Sequence, residues 1–333
     1  MKQLNAEKRS FSYHFIKNLD MCSLLVMTVA LVVFFLVQTP SFLSLGNLNN
    51  LIQINAALVI VAVGVTFVII SGNIDLSSGA ILVFTNCFSA WIFQQSGNIW
   101  LALVCCVAIA CLIGVINGFM IAKMGLNPVI VTLACMIWGK GLALAVSGAS
   151  SIPIDSPVLT NMYRPFALDF FNVSLILIIA VFVLGWYLLN YTKFGRYTFA
   201  IGENEQAANQ AGINTSRVKW LIFIFAATLT GVASVVETAR FSGGIPTAGD
   251  NMEMNAIVAV VIGGTKMTGG EGSFARTFAG LLFMSILSNG LTTLGMNDNI
   301  IYVIKGAIIL VVLLVQVSAN NYRSRYLKML NAY

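Results

Sequence analysis

The sequence predicts an all-α fold, a polytopic bundle of membrane-crossing helices, and three observations carry that expectation. Hydrophobic residues make up 58% of the 333-residue chain and charged residues only 9%, with mean hydropathy +0.89. A soluble domain carries about 25% charged residues. The apolar residues fall in runs long enough to cross hydrocarbon, which takes about 20 residues of helix. Most of the lysines and arginines cluster in the connections between those runs. A bundle of this kind is one unit however many helices it holds, so 1–333 reads as a single transmembrane domain.

The first run, 21–38, follows Lys2, Lys8, Arg9 and Lys17, as the core of a signal peptide would. The residues after it are Gln38-Thr-Pro-Ser, with no small-residue cleavage site. It therefore reads as a retained helix behind a cytosolic segment, 1–20. Runs at 51–70, 77–93, 98–120, 128–147, 172–190, 217–236, 253–267, 277–294 and 299–317 bring the total to about ten spans. The run 253–267 is short enough to tilt or re-enter. An even number of spans puts both termini, including the tail 318–333, on one side.

Charge then orients the bundle. With a cytosolic N-terminus, fourteen Lys and Arg residues fall on internal segments and span edges, against only Arg164 and Arg240 outside. That is the positive-inside bias of a cytosol-anchored membrane protein. Lys140 and Lys305 fall within runs, where their long stems let the ammonium groups snorkel. The net charge of +6 is thus explained by lipid-side topology, and nucleic acid is not expected as a partner. All six cysteines lie in apolar runs, without metal-ligand spacing to His14, the sole histidine. No metal site and no disulfide framework is expected.

One internal segment, 191–216, is polar and alanine-rich: Thr198–Asn214 reads TFAIGENEQAANQAGIN. Asn204 is placed to cap a short helix beginning at Glu205, and Gly212 to end it in a left-handed turn. Ala207, Ala208 and Ala211 form a small-residue face flanked by Glu203, Glu205, Gln206 and Gln210. Such a face admits close approach to a partner's groove; the plain alternative is a solvated loop.

A second glycine-rich stretch, Gly263–Ser273 (GGTKMTGGEGS), invites a phosphate-cradle reading. Counting from Gly264 and Gly269, the lysine position of a P-loop is Gly270 and the next is Glu271, whose charge repels phosphate. ATP binding by this chain is therefore not expected. Gly269, Gly270, Glu271 and Gly272 read instead as a tight cytosolic turn and a second contact for a cytosolic partner. Within the runs, Asn55, Asn86, Asn117, Thr132 and Asn289 are the polar groups that can face a solute path. Asp75 either caps the helix after it or acts at membrane depth. Glu237 and Arg240, at i,i+3 spacing, end the run 217–236 on the outer side. With Asp250 and Glu253 they are candidates for docking an external protein. Gly114 and Gly118 suit close helix packing. Asn-Gly precedes Gly-x-Asn twice, at 117–127 and 289–297, the hint of an inverted repeat.

Four stretches in order resemble one family. Thr192–Ala208 with Ala211-Gly-Ile213 is similar to the GR-x-x-YAIGGN-x-x-AA-x-x-x-GI segment of ribose-, galactose- and xylose-type ABC sugar permeases. Ser71–Gly79 (SGNIDLSSG) is similar to their SGGIDLS-x-G. Asn117-Gly with Gly125–Leu133 (GLNPVIVTL) is similar to their NG…GLNPFIVTL. Gly244–Gly249 (GIPTAG), Ala256–Thr265 (AIVAVVIGGT) and Gly269–Ser273 complete the pattern. Departures are Asn73 and Glu203 in place of glycine, Met252-Glu-Met-Asn255 for Tyr-Glu-Leu-Asp, and Thr265-Lys-Met267 for Thr-Ser-Leu.

The resemblance implies a permease subunit that does no chemistry itself, in a bacterial inner membrane. Two permeases, copies or related chains, would form the pore. A cytosolic ATPase dimer holding ATP and Mg would drive it through Gly202, Glu203, Asn204, Glu205, Ala207, Ala208, Ala211, Gly212 and Ile213. An extracytoplasmic binding protein would deliver a monosaccharide. The competing reading is an ion-coupled secondary transporter of a small polar solute. It needs intramembrane carboxylates, and the runs place none at mid-span.

Overall fold

The computed structural model describes residues 19–165 and 171–331. The basic residues Lys2, Lys8, Arg9 and Lys17, and His14, lie outside them. Helices α1 (Leu19–Gln38), α2 (Leu45–Ile70), α3 (Ser78–Ser96), α4 (Ile99–Ala122) and α5 (Pro128–Ser147) come first. A two-residue strand β1 (Ile152–Pro153) and helices α6 (Pro157–Tyr163), α7 (Val173–Tyr191), α8 (Lys193–Glu203) and α9 (Glu205–Gln210) follow. The remainder is α10 (Thr215–Phe241), β2 (Gly243–Gly244), α11 (Met252–Ile262), α12 (Phe274–Thr293) and α13 (Asp298–Asn331).

Among the described residues, seven helices are long and apolar enough to cross a membrane: α1, α2, α4, α5, α7, α10 and α12. Two shorter apolar stretches are Met252–Ile262 and Asn299–Val315. The fold is the expected all-α polytopic bundle. The run 253–267 is corrected, because its helix ends at Ile262. At 1.5 Å per residue α11 rises only ~16 Å, about half the ~30 Å hydrocarbon core. Gly264, at φ +103°, turns the chain there.

The core forms around α2 and α10, whose backbones nearly touch. A Cβ on Gly64 would lie 2.8 Å from the Cα of Ala226. On its other side α10 packs on α4 through glycines. A Cβ on Gly114 would meet Ala227 Cβ at 2.6 Å, and one on Gly231 would meet Ala110 Cβ at 2.7 Å. Gly118 packs on Trp220, and the Trp220 indole donates to the Val115 carbonyl at 3.0 Å. Small residues allow helices this approach where no water is squeezed out to drive it.

The hint of a repeat is realised in the architecture. Helix α2, an interruption at 71–77, α3, α4, a left-handed glycine (Gly125, φ +71°) and α5 form one series. Helix α10, an interruption at 242–251, α11, α12, a left-handed glycine (Gly295, φ +74°) and α13 form the second. Asn127 caps α5 by accepting from Val129 N at 2.9 Å, and Asn297 accepts from Ile300 N at 3.0 Å. The two series run in opposite senses. Helix α2 ends, at Ile70, beside Gly202 of α8, at the end of the bundle where α10 begins. Helix α4 finishes at that same end, where Ser216 Oγ donates to the Ala122 carbonyl, and α12 starts from it.

Candidate functional site

At the end of the bundle that carries α8 and α9, the polar segment folds as its sequence dictates. Thr192 caps α8, accepting from Gly195 N at 3.4 Å, and Asn204 Oδ1 caps α9, accepting from Ala207 N at 2.9 Å. Gly212 closes the turn at φ +84°. Lys219 on α10 pairs with Glu205 at 2.7 Å and ties α9 to the core. Glu203, Asn204, Glu205, Ala207, Ala211 and Gly212 are exposed and Gly202 and Ile213 half-buried. The single alanine face is corrected: Ala208 is 5% exposed and joins the apolar core. Adjacent helical positions point about 100° apart, so Ala207 and Ala208 cannot share an outward face on a one-and-a-half-turn helix.

Helix α8 meets the rest of the chain backbone to backbone. A Cβ on Gly202 would collide with the Ile70 carbonyl oxygen, and would sit 2.5 Å from Gly270 N. Gly270 N donates to that same Ile70 carbonyl at 2.9 Å. Gly269 (φ +86°) lies against Gly72 and Gly202. The turn 263–273 is clasped by Lys266 and Glu271, 2.5 Å apart. Of the second expected contact surface, Glu271 is exposed, Gly270 and Gly272 are half-buried, and Gly269 is buried against its own chain. Gly269 therefore serves the junction and not a partner's surface.

The two interrupted segments rise from opposite ends and meet inside the bundle. Asp75, 4% exposed, does not cap α3 directly. Its Oδ1 accepts from Ser77 N at 2.8 Å and Ser77 Oγ at 2.5 Å, a turn just before the helix. Asn86 holds the other interruption. Its Nδ2 donates to Thr238 Oγ1 at 2.7 Å and the Gly243 carbonyl at 3.2 Å, and its Oδ1 accepts from Ile245 N at 2.6 Å. The segments touch at two glycines. A Cβ on Gly249 would lie 2.6 Å from the Gly79 carbonyl, and one on Gly79 would lie 2.7 Å from the Gly249 carbonyl and strike Glu253 Oε2.

The expected path residues are thus not equivalent. Asn86 is fully engaged in holding backbone. Asn289 forms a reciprocal amide pair with Asn47, at 2.9 and 3.2 Å. Thr132 donates to the Pro128 carbonyl of its own helix at 2.8 Å. Asn55 donates to the Leu51 carbonyl at 2.8 Å and borders an otherwise largely apolar groove of about 380 Å³ between α2, α7 and α12. Asn117 alone keeps a buried polar atom, Oδ1, without a hydrogen-bond partner, while its Nδ2 reaches Ser77 Oγ at 3.4 Å.

The docking group divides as well. Arg240 pairs with Glu237 at 2.9 Å, but Glu237 is 2% exposed and Glu253 is 4% exposed. Neither carboxylate is presented to an external protein in this conformation. Asp250 and Glu253 sit at the start of α11, ~16 Å above the turn at Gly263, and so within the bundle's depth. Sequence reading missed the partner of Asp250, which is Lys140 of α5 at 3.0 Å. A lone Lys in one apolar run and a lone Asp bordering another was the signal available.

Glycine-packed helices, seven of them long and apolar enough to cross a membrane, and two interruptions that meet inside the bundle are the architecture of a membrane transport component. The chain belongs to the family described as branched-chain amino acid transport system / permease component, which matches residues 47–313. It is 37% identical over 287 residues to the ribose import permease protein RbsC of Bacillus subtilis, covering 85% of this chain and 88% of that one. RbsC of Escherichia coli K12 is 32% identical over 283 residues, with 83% and 87% covered. The galactose/methyl galactoside import permease protein MglC of the same strain is 32% identical over 328 residues, with 93% and 96% covered. No solved structure matches. The protein is a multi-pass permease of the inner membrane and a transport component, as the resemblance implied.

Proposed function

We propose that this chain is the membrane subunit of an ATP-driven importer that passes a monosaccharide delivered by an extracytoplasmic binding protein. A separate cytosolic ATPase dimer binds ATP and Mg and does the hydrolysis. Two permease chains enclose the path. The supporting relatives are ribose and galactose/methyl galactoside import permeases that match over most of this chain, which favours this reading over an ion-coupled transporter.

One observation carries the mechanism: the exposed, capped α8–α9 pair is locked by glycine backbone contacts to the end of α2 and to the turn before α12. A partner that moves α8 moves both helices as one body, the kind of input that switches a packed bundle between two arrangements. Glu203, Asn204, Glu205, Ala207, Ala211 and Gly212 form the exposed docking surface, with Glu271 beside it. In this reading that end is cytosolic and about ten segments cross or re-enter the membrane.

The test uses the cognate ATPase and binding protein with radiolabelled ribose and galactose. Ala207→Arg with Ala211→Arg changes exposed positions only, so the variant should insert normally yet lose co-purification with the ATPase and at least tenfold of import. Normal co-purification and import refute the docking surface. Proteoliposomes of this chain alone should accumulate neither sugar under a proton or sodium gradient; accumulation would establish the secondary transporter instead.

A further inference from the structure

Lys140 and Asp250 form an ion pair whose side chains are 40% and 44% exposed. Their depth follows from helix geometry. Lys140 lies ~18 Å along α5 from Pro128, and Asp250 ~16 Å or slightly more above Gly263, both measured from the end that carries α8 and α9. With a hydrocarbon core of about 30 Å, both readings put the pair near its middle. Ionisable side chains at that depth face a bundle interior or a water-filled cavity and not lipid. Within this chain the pair is uncovered, and that rule leaves water or a second permease chain, not hydrocarbon, to face it.

Directly beside the pair, Glu253 turns inward. It is 4% exposed, its Oε2 has no hydrogen-bond partner, and it lies over the backbone of Gly79 where the two interruptions meet. It stands in the first turn of α11, where the helix N-terminus favours negative charge. The charged groups that act on it are Lys140, Asp250 and Asp75. In transporters built from inverted repeats, solutes cross where interrupted helices meet near the midplane.

We propose that the α5–α11 flank bearing Lys140 and Asp250 lines the water-filled solute path at mid-depth, and that Glu253 accepts hydrogen bonds from hydroxyls of the passing solute. The solute class is a neutral polyhydroxylated molecule. A carboxylate oxygen accepts from hydroxyl groups, and the neutrality of the cargo is taken from the importer reading. In the conformation described, Gly79 and Gly249 are in contact and the Glu253 carboxylate is shut in. Passage therefore requires α3 and the start of α11 to part. The identity of the solute rests on the importer reading above; the location of the path does not.

Two arms test it in native membranes holding the assembled transporter. In the first, Asn251→Cys and Met254→Cys, both exposed on this flank, are compared with Val183→Cys, exposed on α7. A membrane-impermeant methanethiosulfonate reagent is applied from each side, with the unaltered protein as background. The flank cysteines should react at least tenfold faster than Val183→Cys from one side or the other, because the reagent needs water and an ionised thiol. Equal rates would overturn the proposal while leaving the importer reading intact. In the second arm, Glu253→Gln should lower import at least tenfold with ATPase co-purification retained, and Glu253→Asp should restore part of it. Wild-type import by Glu253→Gln overturns the carboxylate's role. If neither ribose nor galactose is imported by the unaltered complex, the first arm alone decides.

Discussion

Gly114 shows what a single residue does in this bundle. Its missing side chain lets α4 lie against α10, with the Phe223 carbonyl 2.9 Å and the Ala227 methyl 2.6 Å from where a Cβ would be. Gly114→Val should destabilise the protein by about 1–3 kcal/mol, the usual range for overpacking a filled core, read as a lower unfolding temperature in detergent. Gly141, with nothing near its Cβ position, is the control and should tolerate alanine at less cost. The packing role of Gly114 and Gly118 was legible, since a four-residue spacing of small residues is a local pattern. The use of Asn86 and Asn289 was not. Their partners lie more than 150 residues away in sequence, and polarity within an apolar run cannot distinguish a side chain that holds backbone from one that meets a solute.

At the scale of elements, α9 depends on its cap. It has six residues, far below the length at which a helix holds itself in water. The Asn204 side chain and the Lys219–Glu205 bridge at 2.7 Å supply what length does not. Asn204→Ala should cost about 1 kcal/mol locally, visible as faster amide exchange across 205–210 and weaker ATPase binding with the bundle unchanged. The cap and the left-handed Gly212 were readable because capping chemistry is written in adjacent residues. The inward turn of Ala208 was not, because alanine suits either face. The end of α11 was misread for a related reason: Ala256–Ile262 is uniformly apolar, and a hydropathy run continues through Gly263 and Gly264 where the backbone has already turned.

At the scale of the whole molecule, two series of helices are placed in opposite senses, and the proposed reading puts the end that carries α8 and α9 in the cytosol. In right-side-out vesicles Ser96→Cys, exposed at the end of α3, should be labelled by an impermeant maleimide without permeabilisation. Gln206→Cys on α9 should be labelled only after permeabilisation. The reverse pattern would invert the bundle and remove the ATPase from reach of α9. Seven of the ten expected runs were legible from composition as helices long enough to cross a membrane, while the meeting of 71–77 with 242–251 was visible only in space. A repeat of polar landmarks too loose to align in sequence becomes plain once Gly125 and Gly295, and Asn127 and Asn297, are seen doing the same work in two places.

Gly72, Gly202 and the pair Gly269–Gly270 leave no cushion between three strands of main chain. Side chains absorb displacement by changing rotamer; peptide planes in direct contact do not. In the proposed reading, a push on α8 would bear directly on the first residues of the 71–77 interruption, the segment that leads to Asp75 and Gly79.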